Sequence, residues 1–392
     1  MMKAYRIIII LGLISLLGDV VYEGSRGILP VYLEFLGASA LLVGLIFGVS
    51  DVISFGFRPL TGLAIDLTRA YLAFMLIGYG LIVAIPAIGL VNEAWMVMAL
   101  ILIERIGKAI RTPARNTLLS IVGKGVGAGR AFGLHELLDQ VGAVIGPLLM
   151  AILLRYTGSF NSSFIVLFAP YIALMTILLS TYRSLKATTI SPTRSSLDPK
   201  RFGLKHLPKG VWLYLIAVLI NTACLMHISL MLYRAHSYFE AWLIPILYLI
   251  VQAVDAIAAP TFGWLYDRVG SSVLLMPFAV TMIPSILALV GGGWELIVAL
   301  VLFGLILGVQ ESVYRAVIAE LVPLERRGLI YGLLDLSYGF GFMVSGVVFG
   351  LIVTSMNLLA GITFSVATGL LSLIVLSLSL KLKGNSAQSK TQ

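Results

Sequence analysis

The chain has 392 residues, of which 59% are hydrophobic and only 11% charged, and its formal net charge is +9. A soluble domain carries roughly 25% charged residues and about half apolar ones. A soluble enzyme or binding module is therefore excluded, and so is disorder. The single cysteine, Cys224, excludes a disulfide framework and a cysteine-built zinc site.

A bilayer-spanning helix needs roughly 20 mainly apolar residues. Twelve such runs follow one another, at 7–33, 39–65, 70–91, 94–114, 130–154, 162–182, 210–233, 240–265, 272–291, 295–316, 328–353 and 357–380. Charges or turn formers separate most of them, such as Glu34 with Gly37, and Asn92 with Glu93. The runs are continuous rather than alternating, unlike the strands of a membrane barrel. The first run leads into further spans with no small-residue cleavage site, so it reads as a retained helix. The predicted fold class is an all-α membrane protein with twelve transmembrane helices.

Lys and Arg sort to one side. With the N-terminus inside, the inner segments hold Lys3, Arg6, Arg69, Lys124, Arg130, Arg268, Arg326 and Arg327, plus the basic residues around 184–209. The outer ends hold only Arg26, Arg155 and Arg234. The positive-inside rule then places both termini and the central segment in the cytoplasm, and the cell membrane is the expected location. The basic balance needs no nucleic acid to explain it.

Residues 184–209 form the only long polar segment and divide the chain into a first bundle, 1–183, and a second, 210–383, with a tail at 384–392. The two halves repeat. Pro59, Gly62 and Asp66 recur 201 positions later as Pro260, Gly263 and Asp267. Gly133, Glu136 and Gly142 recur at an offset of 199 as Gly332, Asp335 and Gly341, and Arg115 and Arg315 correspond at 200. Two parallel six-helix repeats are the architecture of transporters that work around a midplane site.

With these features the sequence resembles the major facilitator superfamily over essentially its whole length. GWLYDRVG (263–270) matches the family's G-x-x-x-D-R-x-G signature. GLAIDLTR (62–69) keeps Gly62 and Asp66 but has Leu67 where arginine is usual. GAVIGPLL (142–149), with Gly142, Gly146 and Pro147, looks like the G-x-x-x-G-P motif of the family's antiporters. The resemblance implies alternating access, a conformational latch at Gly62, Asp66, Gly263, Asp267 and Arg268, and drug/proton antiport as the nearest activity. In physical terms, small residues allow close helix approach, and an aspartate suits a neighbouring helix N-terminus. A proline within a helix removes a hydrogen bond.

Charges inside a bilayer are costly and mark function by default. Span one holds Asp19, Glu23 and Arg26; span two, Asp51; span four, Glu104, Arg105 and Lys108; span five, Glu136 and Asp139; span eight, Gln252 and Asp255; span ten, Glu311 and Arg315; span eleven, Asp335. The repeat-related Glu136, Asp335, Arg115 and Arg315, with Glu311, are expected to pair and gate. Glu23, Asp19 and Asp51 lack acidic counterparts in the other half and are the proton-coupling candidates. Arg26, Glu104, Arg105, Lys108, Asp139, Asn221, His227, Gln252 and Asp255 are the substrate-cavity candidates. Tyr22, Tyr233, Trp242 and Trp294, near outer span ends, fit an interfacial aromatic belt.

HELLD (135–139) has Asp139 where a zinc helix needs its second histidine, and GVGAGR (125–130) lacks the Lys-Ser/Thr of a phosphate loop. No metal, cofactor or enzyme chemistry is expected. The expected function is proton-coupled export of small amphipathic compounds by a monomer in the bilayer. One alternative is proton-coupled uptake of an anionic metabolite held by Arg105 and Lys108. The other is a non-transport membrane protein such as a lipid scramblase or sensor.

Overall fold

The computed structural model describes residues 2–123, 126–188, 207–322 and 327–388. Most of the central segment (189–206), Lys124, Arg326 and the tail from 389 lie outside the described residues. Among the described residues every regular element is a helix. In chain order these are α1 (Met2–Arg26), α2 (Leu29–Phe35), α3 (Ala40–Gly56), α4 (Arg58–Thr68), α5 (Tyr71–Gly80), α6 (Ala84–Ala87), α7 (Ala94–Gly123), α8 (Ala128–Thr157), α9 (Phe160–Val166), α10 (Phe168–Thr188), α11 (Lys209–Cys224), α12 (Ile228–Ala235), α13 (Ile244–Val269), α14 (Leu275–Val280), α15 (Met282–Val290), α16 (Gly293–Leu321), α17 (Arg327–Ser355) and α18 (Leu358–Gln388).

Ten helical stretches are long and apolar enough to cross a membrane, among them 4–26, 40–68, 130–157 and 329–355. One of the ten, 241–290, is 50 residues long. Helix α7 is not among them, because Glu104, Arg105, Lys108 and Arg111 interrupt its apolar run.

Several runs that read as single spans are divided between helices, the first and the seventh among them. The first ends at Arg26 and resumes as α2, where Pro30 lies in the first turn. Proline has no N–H to continue the ladder but is tolerated at a helix start. The seventh stops at Cys224; Leu225 is extended and His227 caps α12, its side chain accepting the Ser229 N–H. No proline or glycine marks that second break.

The described chain forms two compact units. The first comprises Met1–Gly37, Gly56–Ser195 and Glu240–Leu249. Here α1 lies backbone to backbone on α8. A Cβ added at Gly146 would stand 2.7 Å from the Gly24 nitrogen, and one at Gly24 would stand 2.9 Å from the Gly146 carbonyl oxygen. Helices in lipid gain little from hydrophobicity between them, so small residues that admit close contact hold them together. A side chain forced in at such a contact costs roughly 1–3 kcal/mol. Gly78 and Gly107 bring α5 onto α7 in the same way, and Thr61 Oγ1 donates to the Ala109 carbonyl at 2.8 Å.

The second unit comprises Ala38–Phe55, Ser196–Phe239 and Ile250–Gln392. Its core gathers Val211, Tyr214, Val313, Tyr314, Leu334 and Leu376. Two of the buried tyrosines are satisfied by carbonyls: Tyr214 donates to the Tyr314 carbonyl at 2.9 Å, and Tyr338 to the Gln310 carbonyl at 3.0 Å. A buried hydroxyl without such a partner would cost about 1–3 kcal/mol. Helix α3 lies along α17, with Gly44 against Gly346 and Gly48 against Met343.

Candidate functional site

The densest charge in the first unit lies where α7 faces α1. Residues three and four apart share a helix face, so Glu104, Lys108 and Arg111 form one stripe, with Arg105 beside it. All four address one ring, Tyr22 of α1, or its cations. The Lys108 ammonium stands 3.9 Å from the ring centroid, Arg105 4.9 Å, and Arg111 and Arg26 each 5.9 Å. Arg105 also donates to the Tyr22 hydroxyl. Glu104 is 1% exposed; its Oε1 accepts from Arg111 Nη2 at 2.8 Å and its Oε2 lies 3.9 Å from Arg105 Nε. Arg111 reaches this position because Gly78 leaves α5 room to pass, and its Nη1 donates to the Gly78 carbonyl at 3.5 Å. Among the described residues Lys108 has no carboxylate within ion-pair distance.

Two further clusters adjoin it. Glu23 is buried and accepts a hydrogen bond from Tyr248 Oη at 2.5 Å through Oε2, while Oε1 lies 4.0 Å from Arg26 Nη1. Asp19, one turn earlier on α1, is half-buried, and its Cβ is held close to Gly142 of α8. On the side of Asp19 away from Glu23, Arg115 donates to Ser15 Oγ at 2.5 Å and to Asp139 Oδ2 at 3.2 Å, with His135 Nδ1 3.6 Å from the same oxygen.

In the second unit Asp51 Oδ2 lies 3.0 Å from His227 Nε2. The other ring nitrogen accepts the Ser229 N–H at 3.1 Å and lies 2.7 Å from Ser229 Oγ. The network thus assigns the ring proton to Nε2, which donates to Asp51. Phe342 meets the imidazole edge-on at 5.4 Å and Phe47 lies at 6.1 Å. The pair is buried, with Asp51 4% and His227 1% exposed.

Several expectations are corrected. Glu136 was expected among the paired residues, but it is exposed and takes a bond from Gln140 at 3.3 Å, while Arg115 pairs with Asp139, three residues further along the helix. Only in the second unit is the repeat-matched acid in place, with Arg315 3.8 Å from Asp335; Glu311 is exposed. Asn221 is fully buried in a closed polar network: Tyr314 Oη donates to it at 2.9 Å, Thr281 Oγ1 at 3.4 Å, and its amide reaches Ser372 at 3.4 Å. It is a core amide rather than a cavity group. Among the described residues no atom of another helix lies within 4 Å of a Cβ built on Gly62 or Gly263, so the close approach expected there is not seen among them. Asp66 and Asp267 are exposed at the ends of their helices, and Arg268 covers the Trp264 ring at 3.7 Å instead of meeting a carboxylate. Gly142, Gly146 and Pro147 sit within the unbroken α8, where both glycines serve the α1 contact. Asp255 is buried on α13 and Gln252 half-buried one turn before it.

Sequence reasoning missed Tyr22, Tyr248, Arg111 and Ser15 as members of these clusters. Tyr22 read as part of the interfacial belt, yet it is 2% exposed. The signal available was its position between Asp19 and Glu23 on an acidic helix. No described group of side chains could hold a metal ion.

A helical chain with ten apolar membrane-length stretches and buried charge clusters is a multi-pass membrane protein of transporter fold. The Major Facilitator Superfamily profile matches residues 9–291 and 237–392, and the chain belongs to that family. It is 31% identical to "Uncharacterized protein Rv2265" of Mycobacterium tuberculosis over 97% of this chain and 91% of that one. It is 28% identical to "Uncharacterized MFS-type transporter MJ1317" of Methanocaldococcus jannaschii over 93% of this chain and 94% of that one. Among solved structures, the nucleoside transporter NupG superposes with a TM-score of 0.75 at 16% identity, covering 96% of this chain and 98% of that chain. A POT family transporter in complex with 5-aminolevulinic acid superposes with a TM-score of 0.74 at 13% identity, covering 96% of each chain. At those identities the likeness is one of fold.

Proposed function

We propose that this protein is a proton-coupled secondary transporter that exports small amphipathic compounds by alternating access. Twelve crossings are the reading of its topology. The 241–290 stretch is about 75 Å of helix at 1.5 Å per residue, enough for two passes through a core of roughly 30 Å, and α7 is a further pass whose charges face protein. An internal repeat is supported by packing: α1 with α8 and α10 has its counterpart in α11 with α17 and α18. Gly142 against Leu16 likewise has its counterpart in Gly341 against Leu219. Both termini and the central segment are cytoplasmic in this reading, in the cell membrane. Cys224, the one native cysteine, is buried, so Ser195→Cys gives a clean reporter. An impermeant maleimide should fail to label it in intact cells and label it after permeabilisation; labelling in intact cells would reverse the topology.

The observation that carries the coupling is Glu23. One carboxylate oxygen takes a hydroxyl from Tyr248, which the second half of the sequence supplies, and the other faces Arg26. Protonation turns one of those oxygens from acceptor into donor, so loading Glu23 rewrites a bond linking the two halves of the sequence. Asp19 and Asp51 are the next candidates. The exposed Asp66 and Asp267 are read as a latch that is open in this conformation. In energised everted vesicles, gradient-driven uptake of ethidium or carboxyfluorescein should fall at least about tenfold in Glu23→Gln, a barrier change of roughly 1.4 kcal/mol. Energy-independent exchange should persist. A well-folded variant that still accumulates either probe removes Glu23 from the coupling.

The uptake reading, with an anionic metabolite as cargo, is favoured by one observation, the cation surplus around Tyr22.

A further inference from the structure

We propose that Arg105, Lys108 and the Tyr22 hydroxyl form a binding site for an anionic group, a carboxylate or phosphate, on the transported compound. The inference rests on the transporter reading above and names the chemistry of its cargo, whichever way that cargo moves.

The argument is one of charge and convergence. Arg105 and Lys108 lie three residues apart on one face of α7, and both heads come to the same tyrosine. Arg105 holds its hydroxyl, and Lys108 lies over its ring at 3.9 Å. The acid on this face, Glu104, is bonded by Arg111 at 2.8 Å, and its second oxygen stands at 3.9 Å from Arg105. Glu104 thus meets two of the α7 cations, and Lys108 is the one with no described carboxylate within ion-pair distance. Arg26, the other cation near the ring, already faces Glu23.

An ammonium inside a membrane protein is costly unless it is paired or reaches water. A face of Tyr relieves only part of that cost, worth about 0.5–2 kcal/mol in general. Lys108 is half-buried. An arginine fork offers two parallel donors to a carboxylate or phosphate, the lysine adds a point charge, and the phenol can turn its proton toward an anionic oxygen. The set is complementary to an oxyanion and hostile to a cation. The bland alternative is that Lys108 merely packs its stem and head against Tyr22.

Thermal unfolding of the purified chain in detergent separates the two. Succinate and inorganic phosphate are titrated separately at neutral pH, with ionic strength held by chloride and tetraethylammonium chloride as the cation control. The expected result is a saturable rise in Tm with at least one of the anions and none with the control. In Lys108→Gln the half-saturating concentration should rise about tenfold or more. Without anion that variant should melt no lower than the wild type, since it loses a charge that forms no ion pair among the described residues. Which probe acts distinguishes carboxylate from phosphate. The proposal is overturned if neither anion raises Tm, if the rise is the same in Lys108→Gln, or if that variant melts lower without anion, which would make Lys108 a structural partner. The measurement needs neither gradient nor turnover. Its failure would leave proton-coupled transport standing, just as failure of the Glu23→Gln test would leave the anion site standing.

Discussion

Glu104→Gln should destabilise the protein by about 3–5 kcal/mol, the usual cost of removing one partner from a buried ion pair. Glu104 is 1% exposed and lies between Arg111 at 2.8 Å and Arg105 at 3.9 Å. Glutamine keeps the shape and removes the charge, so Arg105, Lys108 and Arg111 are left to repel one another around Tyr22. Their mutual repulsion is only partly screened, because salt reaches buried charges poorly. The control is the pair replacement Glu104→Leu with Arg111→Met. Substituting a buried ion pair by apolar residues of similar volume is often neutral or stabilising, so the double variant should recover most of the loss. The readout is Tm in detergent together with the fraction of monodisperse protein after purification. A single variant that melts within a degree of the wild type would mean that Glu104 is not the charge that holds the α7 cations in place.

The second large effect is expected at Asp51 and His227. Hydrogen bonds to a charged group contribute about 1.5–3 kcal/mol, and this one is buried, 3.0 Å long and fixed in tautomer by Ser229. Asp51→Ala leaves an imidazole N–H facing Phe47 and Phe342 rather than a carboxylate. His227→Ala does the converse and also removes the N-cap of α12, a further cost of about 1 kcal/mol. The double variant should therefore be less destabilised than the sum of the singles, with a coupling of about 2 kcal/mol measured as a double-mutant cycle. His227→Gln, whose amide can both donate and accept, should lose less than His227→Ala. Strict additivity would show that the two side chains are neighbours without being partners. Asp51 comes from the first half of the sequence and His227 from the second. The double-mutant cycle measures the strength of this bond between them.

Hydropathy is a local property, and it settled the class. Continuous apolar runs of about 20 residues can only be buried in lipid or in a core, and 59% hydrophobic residues leave no water-soluble alternative. The intramembrane charges were legible for the same reason: Glu23, Asp51, Glu104, Arg105 and Lys108 stand out because their neighbours are apolar. What each charge touches was not legible. That depends on the rotation and separation of helices, set by contacts such as Gly24 with Gly146 and Gly78 with Arg111, which no periodicity encodes. Tyr22 has the local surroundings of a belt tyrosine and became the centre of a cation cluster only when α7 packed on α1. Glu136 was expected among the ion-paired residues, but Asp139, nearly one turn further along α8, meets Arg115 instead. The break at Leu225–His227 has no helix breaker in the sequence. It exists because the His227 ring caps α12 with one nitrogen and meets Asp51 with the other, a geometry available only when residues 176 positions apart are brought together.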